Sequence, residues 1–251
     1  MWEIFRDRSV DSSHDKQQLL GSLDPGVLSH ARKYLKLSGQ VALGGLPPEA
    51  ALASPDRTQE LPGTASHRVW VQGADAMRPV LVLDPVSAPP TYLFVFLHGI
   101  FQSGPMLVSL ARKWCKALPS SRLVLPTAPT RESPYGVGPA WGNLREDSWS
   151  RDGCRDEIVS LLSWHCSEFG IGPDRVILGG YSLGGKLAIR TAVQLPCKLA
   201  GLLLFSTSAE EPPADVETPG AKGLSVLQCH GTDDAVVPLD DALQTFEWLQ
   251  G

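Results

Sequence analysis

Arg175-Val176-Ile177-Leu178-Gly179-Gly180-Tyr181-Ser182-Leu183-Gly184-Gly185-Lys186-Leu187-Ala188-Ile189-Arg190 is the stretch on which the fold turns. Its apolar opening, residues 175–178, predicts a strand, and residues 186–190 predict a helix. Between them lies G-x-S-x-G, centred on Ser182. Strand, sharp turn and helix form the setting in which this motif makes a nucleophile elbow. Glycines flank such a serine because the turn is strained, and side chains at 180 and 184 would collide with neighbouring elements. The helix beginning at Leu183 would aim its N-terminal N–H groups at the space above Ser182, where an oxyanion can develop. The plainer alternative is a glycine-rich strand-to-helix turn with an incidental serine; the flanking strand and helix favour the elbow.

Working outward, residues 67–71 and 79–83 are short β-type runs with Gly73 and Asp75 between them, which predicts an antiparallel hairpin. Residues 92–97 are continuously apolar, as in a strand buried on both faces, and end in His98-Gly99. A helix is expected over 107–118, a strand over 122–126, a long Pro/Gly-rich irregular segment over 127–153, and a helix over 155–169. Further strands are expected over 201–205 and 224–229, with a helix beginning at 242. Strands alternating with helices predict an α/β fold: a mostly parallel central sheet with an antiparallel N-terminal hairpin. Residues 1–65 are punctuated by Gly, Pro and Ser and read as a partly disordered appendage carrying one helix candidate over 25–37; residues 66–251 form the main domain.

A chain of 251 residues with 43% hydrophobic and 20% charged residues can bury a sizeable core. The formal net charge of −5, with Lys and Arg scattered, excludes a basic nucleic-acid-binding surface. Residues 1–15 mix acids and bases with no apolar segment, unlike a signal or transit peptide, and no apolar run approaches a membrane span. Cys115, Cys154, Cys166, Cys197 and Cys229 form no C-x-x-C pair and read as free thiols in a reducing, cytoplasmic setting. No metal-ligand spacing occurs, and where a phosphate-binding loop needs Ser or Thr after Gly185-Lys186, this chain has Leu187. No cofactor is expected.

A serine nucleophile needs partners. Asp234 lies 52 residues after Ser182 on the loop following a strand, where the acid falls in the order Ser, Asp, His; Asp233 is its close competitor, and turn capping is the bland role for both. The loop His98-Gly99-Ile100 would supply one oxyanion-hole N–H, with Ile100 and Leu183 the candidate donors. His98, His230 and His165 read as structural, and His14 and His30 as solvated. No histidine follows His230.

The chain resembles the acyl-protein thioesterase and lysophospholipase family of α/β-hydrolases, also called the phospholipase/carboxylesterase family. The resemblance rests on Phe94-Val95-Phe96-Leu97-His98-Gly99, Leu125-Pro126-Thr127-Ala128-Pro129, Pro139-Ala140-Trp141, the elbow, Leu199-Ala200-Gly201, and Leu227-Gln228-Cys229-His230-Gly231 through Asp234 to Val237-Pro238-Leu239, in family order. It implies hydrolysis of fatty-acyl thioesters on proteins, or of lysophospholipid or simple carboxylic esters, without a cofactor. Ser182 would be the nucleophile, Asp234 the acid, the N–H groups of Ile100 and Leu183 the oxyanion hole, and Trp141 a substrate contact. The partner would be an acylated protein or a lipid or ester substrate, met at most at a membrane surface. Leu183 stands where the family usually has Gln, and Trp141-Gly142-Asn143 where it has Trp-Phe-Asp. The family histidine would fall after a further strand, beyond Gly251, so the hydrolase domain is expected to lack its last strand and helix. The alternatives are a small-molecule carboxylesterase and a non-catalytic relative that binds acyl groups or a protein partner.

Overall fold

The computed structural model of the protein describes residues 3–7, 57–74, 76–133, 136–142, 149 and 153–250. Eleven strands are present among the described residues: β1 (Glu3–Asp7), β2 (Thr58–Leu61), β3 (His67–Gln72), β4 (Val80–Pro85), β5 (Tyr92–Leu97), β6 (Ser121–Leu125), β7 (Thr130–Ser133), β8 (Gly136–Pro139), β9 (Val176–Tyr181), β10 (Gly201–Phe205) and β11 (Val226–Gly231). The α-helices are α1 (Val108–Ala117), α2 (Gly153–Phe169), α3 (Leu183–Gln194) and α4 (Leu239–Gln250).

The main sheet runs β1-β11-β10-β9-β5-β6-β4-β3-β2, and β7 and β8 pair as a separate hairpin. From β1 across to β6 neighbouring strands are parallel, while β4, β3 and β2 add antiparallel strands at the far edge. The expected hairpin is therefore present, with His67 opposite Pro85 and Gln72 opposite Val80. Residues 3–7 and 58–61, within the stretch expected to be an appendage, form the two outermost strands. The helix candidate over 25–37 lies outside the described residues.

β5 explains how the core is built. Because side chains alternate along a strand, Leu93, Val95 and Leu97 enter one apolar cluster with α2 and α3 residues such as Ile158, Leu162, Leu187 and Ile189. Phe94 and Phe96 enter the cluster on the opposite face, with Ala111 and Cys115 of α1. That is why this strand reads as an unbroken apolar run. The expected helix over 107–118 opens with a 3₁₀ turn, Gly104–Leu107, whose Pro105 fits a first-turn position lacking a hydrogen-bonded N–H.

Strand order also locates a crevice. After β5 the chain pairs β6 on one side, then returns to place β9, β10 and β11 on the other. At such a switch the loops leaving the carboxyl ends of the two central strands diverge and leave a cleft, here between β5 and β9.

Candidate active site

Ser182 sits on that rim, between the end of β9 and the start of α3, with φ 51° and ψ −122°. A non-glycine residue holds this conformation only when its surroundings over-determine it. They do so here. Its N–H donates to Phe205 O at 3.0 Å, and its carbonyl accepts from Lys186 N–H at 3.1 Å and from the Thr207 hydroxyl at 2.7 Å. A Cβ on Gly180 would overlap the backbone of Gly184, and one on Gly184 would overlap Leu97 O and His98 O. The glycines let α3 start directly against β5 and β9.

Backbone strain gathers on the same rim. Among the described residues the non-glycine positions with positive φ are Phe101 (62°), Ser182 (51°) and Ser206 (43°). They follow the carboxyl ends of β5, β9 and β10, three adjacent parallel strands.

The loop after β5 is held by His98. Its Nδ1–H donates to Gly99 O at 2.6 Å, and its Nε2 accepts the Ala128 N–H at 2.9 Å. Both ring nitrogens are therefore engaged in one neutral tautomer, and burial pushes the imidazole from 6.5 down to about 4. Gly99 O also accepts from Gln102 N–H at 3.2 Å, and Gln102 Oε1 accepts the Gly99 N–H at 2.9 Å. In a trans peptide C=O and N–H point opposite ways, so anchoring Gly99 O directs the Ile100 N–H away from those donors. Among the described residues neither Ile100 N–H nor Leu183 N–H meets a protein acceptor.

Asp234 follows β11. Its Oδ1 accepts the N–H groups of Val236 at 2.9 Å and Val237 at 3.0 Å, an arrangement that folds the loop around the carboxylate. Oδ2 lies 3.7 Å from His230 Nε2, beyond hydrogen-bond length, and that ring donates instead to Val237 O at 2.8 Å. Asp233, the competitor, is exposed, whereas Asp234 is partly buried. Phe205 O joins the end of β10 to Ser182, and Ser206 N–H joins it to Cys229 O of β11. The serine and the aspartate thus leave the same edge of one continuous sheet.

Trp141, expected against substrate, is 2% exposed. Its indole N–H donates to His98 O at 2.9 Å and its ring lies 5.1 Å from the His98 ring. It touches the loop that carries Ile100. The other described histidines are committed elsewhere. His67 contacts Ser66 Oγ and Ser121 O, and His165 stacks on Phe169 with burial and Arg122 together lowering its pKa to about 4. His14 and His30 lie outside the described residues. Thr207 escaped sequence inspection because its significance is a hydrogen bond to a residue 25 positions away.

The site therefore has a strained, partly exposed serine, two backbone N–H groups opposite anchored carbonyls, and a carboxylate on the same rim. The sequence profile of the phospholipase/carboxylesterase family matches residues 81–250. Acyl-protein thioesterase 1 of Mycosarcoma maydis is 28% identical over 193 residues, covering 68% of this chain and 80% of that protein. Acyl-protein thioesterase 1 of Eremothecium gossypii is 32% identical over 172 residues, covering 62% and 72%. Among solved structures, esterase PE8 aligns with a TM-score of 0.54 at 26% identity, over 67% of this chain and 81% of its own. Acyl-protein thioesterase 2 of Zea mays shares the fold, with a TM-score of 0.52 at 19% identity over 68% and 83% of the two chains.

Proposed function

The chain belongs to the phospholipase/carboxylesterase family of α/β-hydrolases, and from that premise we propose that it cleaves fatty-acyl thioesters or esters with Ser182 as nucleophile and Asp234 as acid. The conformation of Ser182 carries the reading: φ 51° at the turn from β9 into α3, on a partly exposed residue beside the cleft where the strand order switches, is the conformation a nucleophile elbow needs. The relatives named for acyl-protein thioesterase activity favour thioesters of protein-bound acyl groups as the substrate. Five cysteines outside any disulfide fit a reducing, cytoplasmic setting for that reaction.

In the proposed reaction Ser182 Oγ attacks the acyl carbonyl carbon while a histidine base takes its proton. Negative charge moves to the carbonyl oxygen, which accepts from the N–H groups of Ile100 and Leu183. Collapse of the tetrahedral intermediate expels the thiol or alcohol, which receives the proton from the base, and water then cleaves the acyl-enzyme by the same steps. Asp234 Oδ1 is consumed by its own loop, leaving Oδ2 as the acceptor that would fix the histidine's tautomer. That histidine is not one of those described, each of which is bonded or packed elsewhere.

The test is labelling with a serine-directed fluorophosphonate, compared with Ser182→Ala, followed by parallel assays on acyl thioesters and on oxygen esters of matched chain length. Labelling that disappears in Ser182→Ala, with thioesters cleaved faster, is the expected result. Faster cleavage of short oxygen esters would assign a small-molecule carboxylesterase. A chain that neither labels nor hydrolyses would be a non-catalytic acyl-binding relative.

A further inference from the structure

We propose that Thr207 is a positioning residue which aims the Leu183 N–H into the oxyanion hole; the inference rests on Ser182 acting as the nucleophile. Thr207 is 1% exposed and stands two residues past the end of β10, immediately beside the elbow. Its hydroxyl donates to the carbonyl of Ser182 at 2.7 Å. That carbonyl and the Leu183 N–H belong to one peptide unit, and no cis bond occurs among the described residues. Pinning the oxygen therefore fixes the opposite direction of the N–H. The oxyanion hole is built on the same principle on its other side, where His98 and Gln102 pin Gly99 O and so direct the Ile100 N–H.

The pin is needed because this peptide opens a helix. The first N–H groups of a helix, that of Leu183 among them, have no partner within it, while the Ser182 carbonyl on the same peptide has its one helical donor, Lys186 N–H at 3.1 Å. Thr207 adds a second donor from a different strand. A bond accepted by a peptide oxygen also polarises the N–H of that peptide, strengthening it as a donor to a developing negative charge.

Thr207 itself is held on three sides. Its Cγ2 fills the space against Gly185, where an added Cβ would meet it at 2.5 Å. Its carbonyl accepts from Gln228 Nε2 at 3.4 Å, and the same amide donates to Ala242 O at 3.0 Å, tying β11 and α4 to the loop. Ser206 just before it takes φ 43°, the strained turn that brings Thr207 round to the elbow.

Thr207→Val keeps the methyl and loses the hydroxyl, Thr207→Ser does the reverse, and Thr207→Ala loses both. The measurements are the rate of fluorophosphonate labelling at Ser182, kcat and KM for an acyl ester, and Tm. Thr207→Val and Thr207→Ala are expected to lower kcat and labelling by roughly tenfold, with KM and the Thr207→Ser rates within about twofold of the parent. Parent rates in Thr207→Val, or equal losses in Thr207→Ser and Thr207→Ala, would overturn the inference and leave Thr207 a packing residue. If Thr207→Val does not fold, the Ser/Ala pair decides, because those two differ only by the hydroxyl. Labelling that persists in Ser182→Ala removes the nucleophile reading and this inference together. Full-rate Thr207 variants of a protein that Ser182→Ala silences remove this inference alone.

Discussion

The two ends of the parallel strands handle buried polar groups in opposite ways. At the carboxyl ends, Phe101, Ser182 and Ser206 hold positive φ, peptide carbonyls are pinned by His98 and Thr207, and the Ile100 and Leu183 N–H groups meet no acceptor among the described residues. At the amino end of β6, Arg122 pairs with Asp84 and lies over the rings of Phe169 at 4.5 Å and Trp70 at 5.7 Å, while His165 stacks on Phe169. A cavity of about 350 Å³ opens there, lined by Trp70, Asp84, Phe169 and the Pro85–Pro90 loop. Asp84 Oδ1, Arg122 Nε and His165 Nδ1 are buried without partners at that end, yet no described non-glycine residue there has positive φ. This cavity and the strained backbone are thus separated. Strain marks the end where groups must be held in one direction against their preference; the charge-and-ring cluster closes the other end of the scaffold.

The comparison breaks most sharply at Asp234. Asp234→Asn is expected to lower Ser182-dependent hydrolysis by roughly 10⁴-fold with Tm unchanged; an unaltered rate in an ester assay would detach the β11 loop from the site. Next is the close approach of α3 to β5. Gly184→Ala drives a methyl into Leu97 O and His98 O, and urea unfolding should show a loss of about 4 kcal/mol. At the opposite end, Arg122→Met leaves Asp84 without its partner. A loss of about 3 kcal/mol is expected, with labelling of Ser182 in the folded protein unchanged; a matching fall in labelling would show that the two ends are coupled.

Acid should loosen both ends at once. Burial holds His98 and His165 at about 4 in the folded protein, against an ordinary value of 6.5, with Arg122 also depressing His165. The unfolded chain then binds more protons between those values, so stability is full above pH 6.5, falls as pH drops toward 4, and levels off below it. Each histidine contributes on the order of 2 to 3 kcal/mol to that loss. Denaturant midpoints across this window should give about half the slope in His165→Phe, and an unchanged slope would count against His165. The smallest effect is at the elbow itself. Ser182→Gly relieves φ 51° and should raise stability by about 1 kcal/mol, with Tm as the readout; a fall in Tm would mean the turn is not strained.

Legibility followed periodicity. β5 was readable because a strand packed on both faces must be apolar at every position, and the β3–β4 hairpin because its two β-rich runs are separated by turn residues. The elbow was readable because its glycines answer local steric demands. The contacts of Trp141 were not readable: whether an indole packs on a buried histidine depends on segments distant in the chain. The pairing of residues 3–7 with β11 had no local signal either, since a single short edge strand takes its position from its partner.

By itself the sequence determined the α/β alternation and the turn at Ser182, because each depends on hydrophobic period or on local backbone sterics acting within a few residues. Only the tertiary structure decided which peptide carbonyls are pinned. The direction of the Leu183 N–H depends on a hydroxyl from beyond β10, and that of the Ile100 N–H on a neutral His98 fastened to Ala128 and Trp141. Hydrogen bonds between residues far apart in the chain leave no spacing to read, and they exist only once the strands that carry them have been placed side by side.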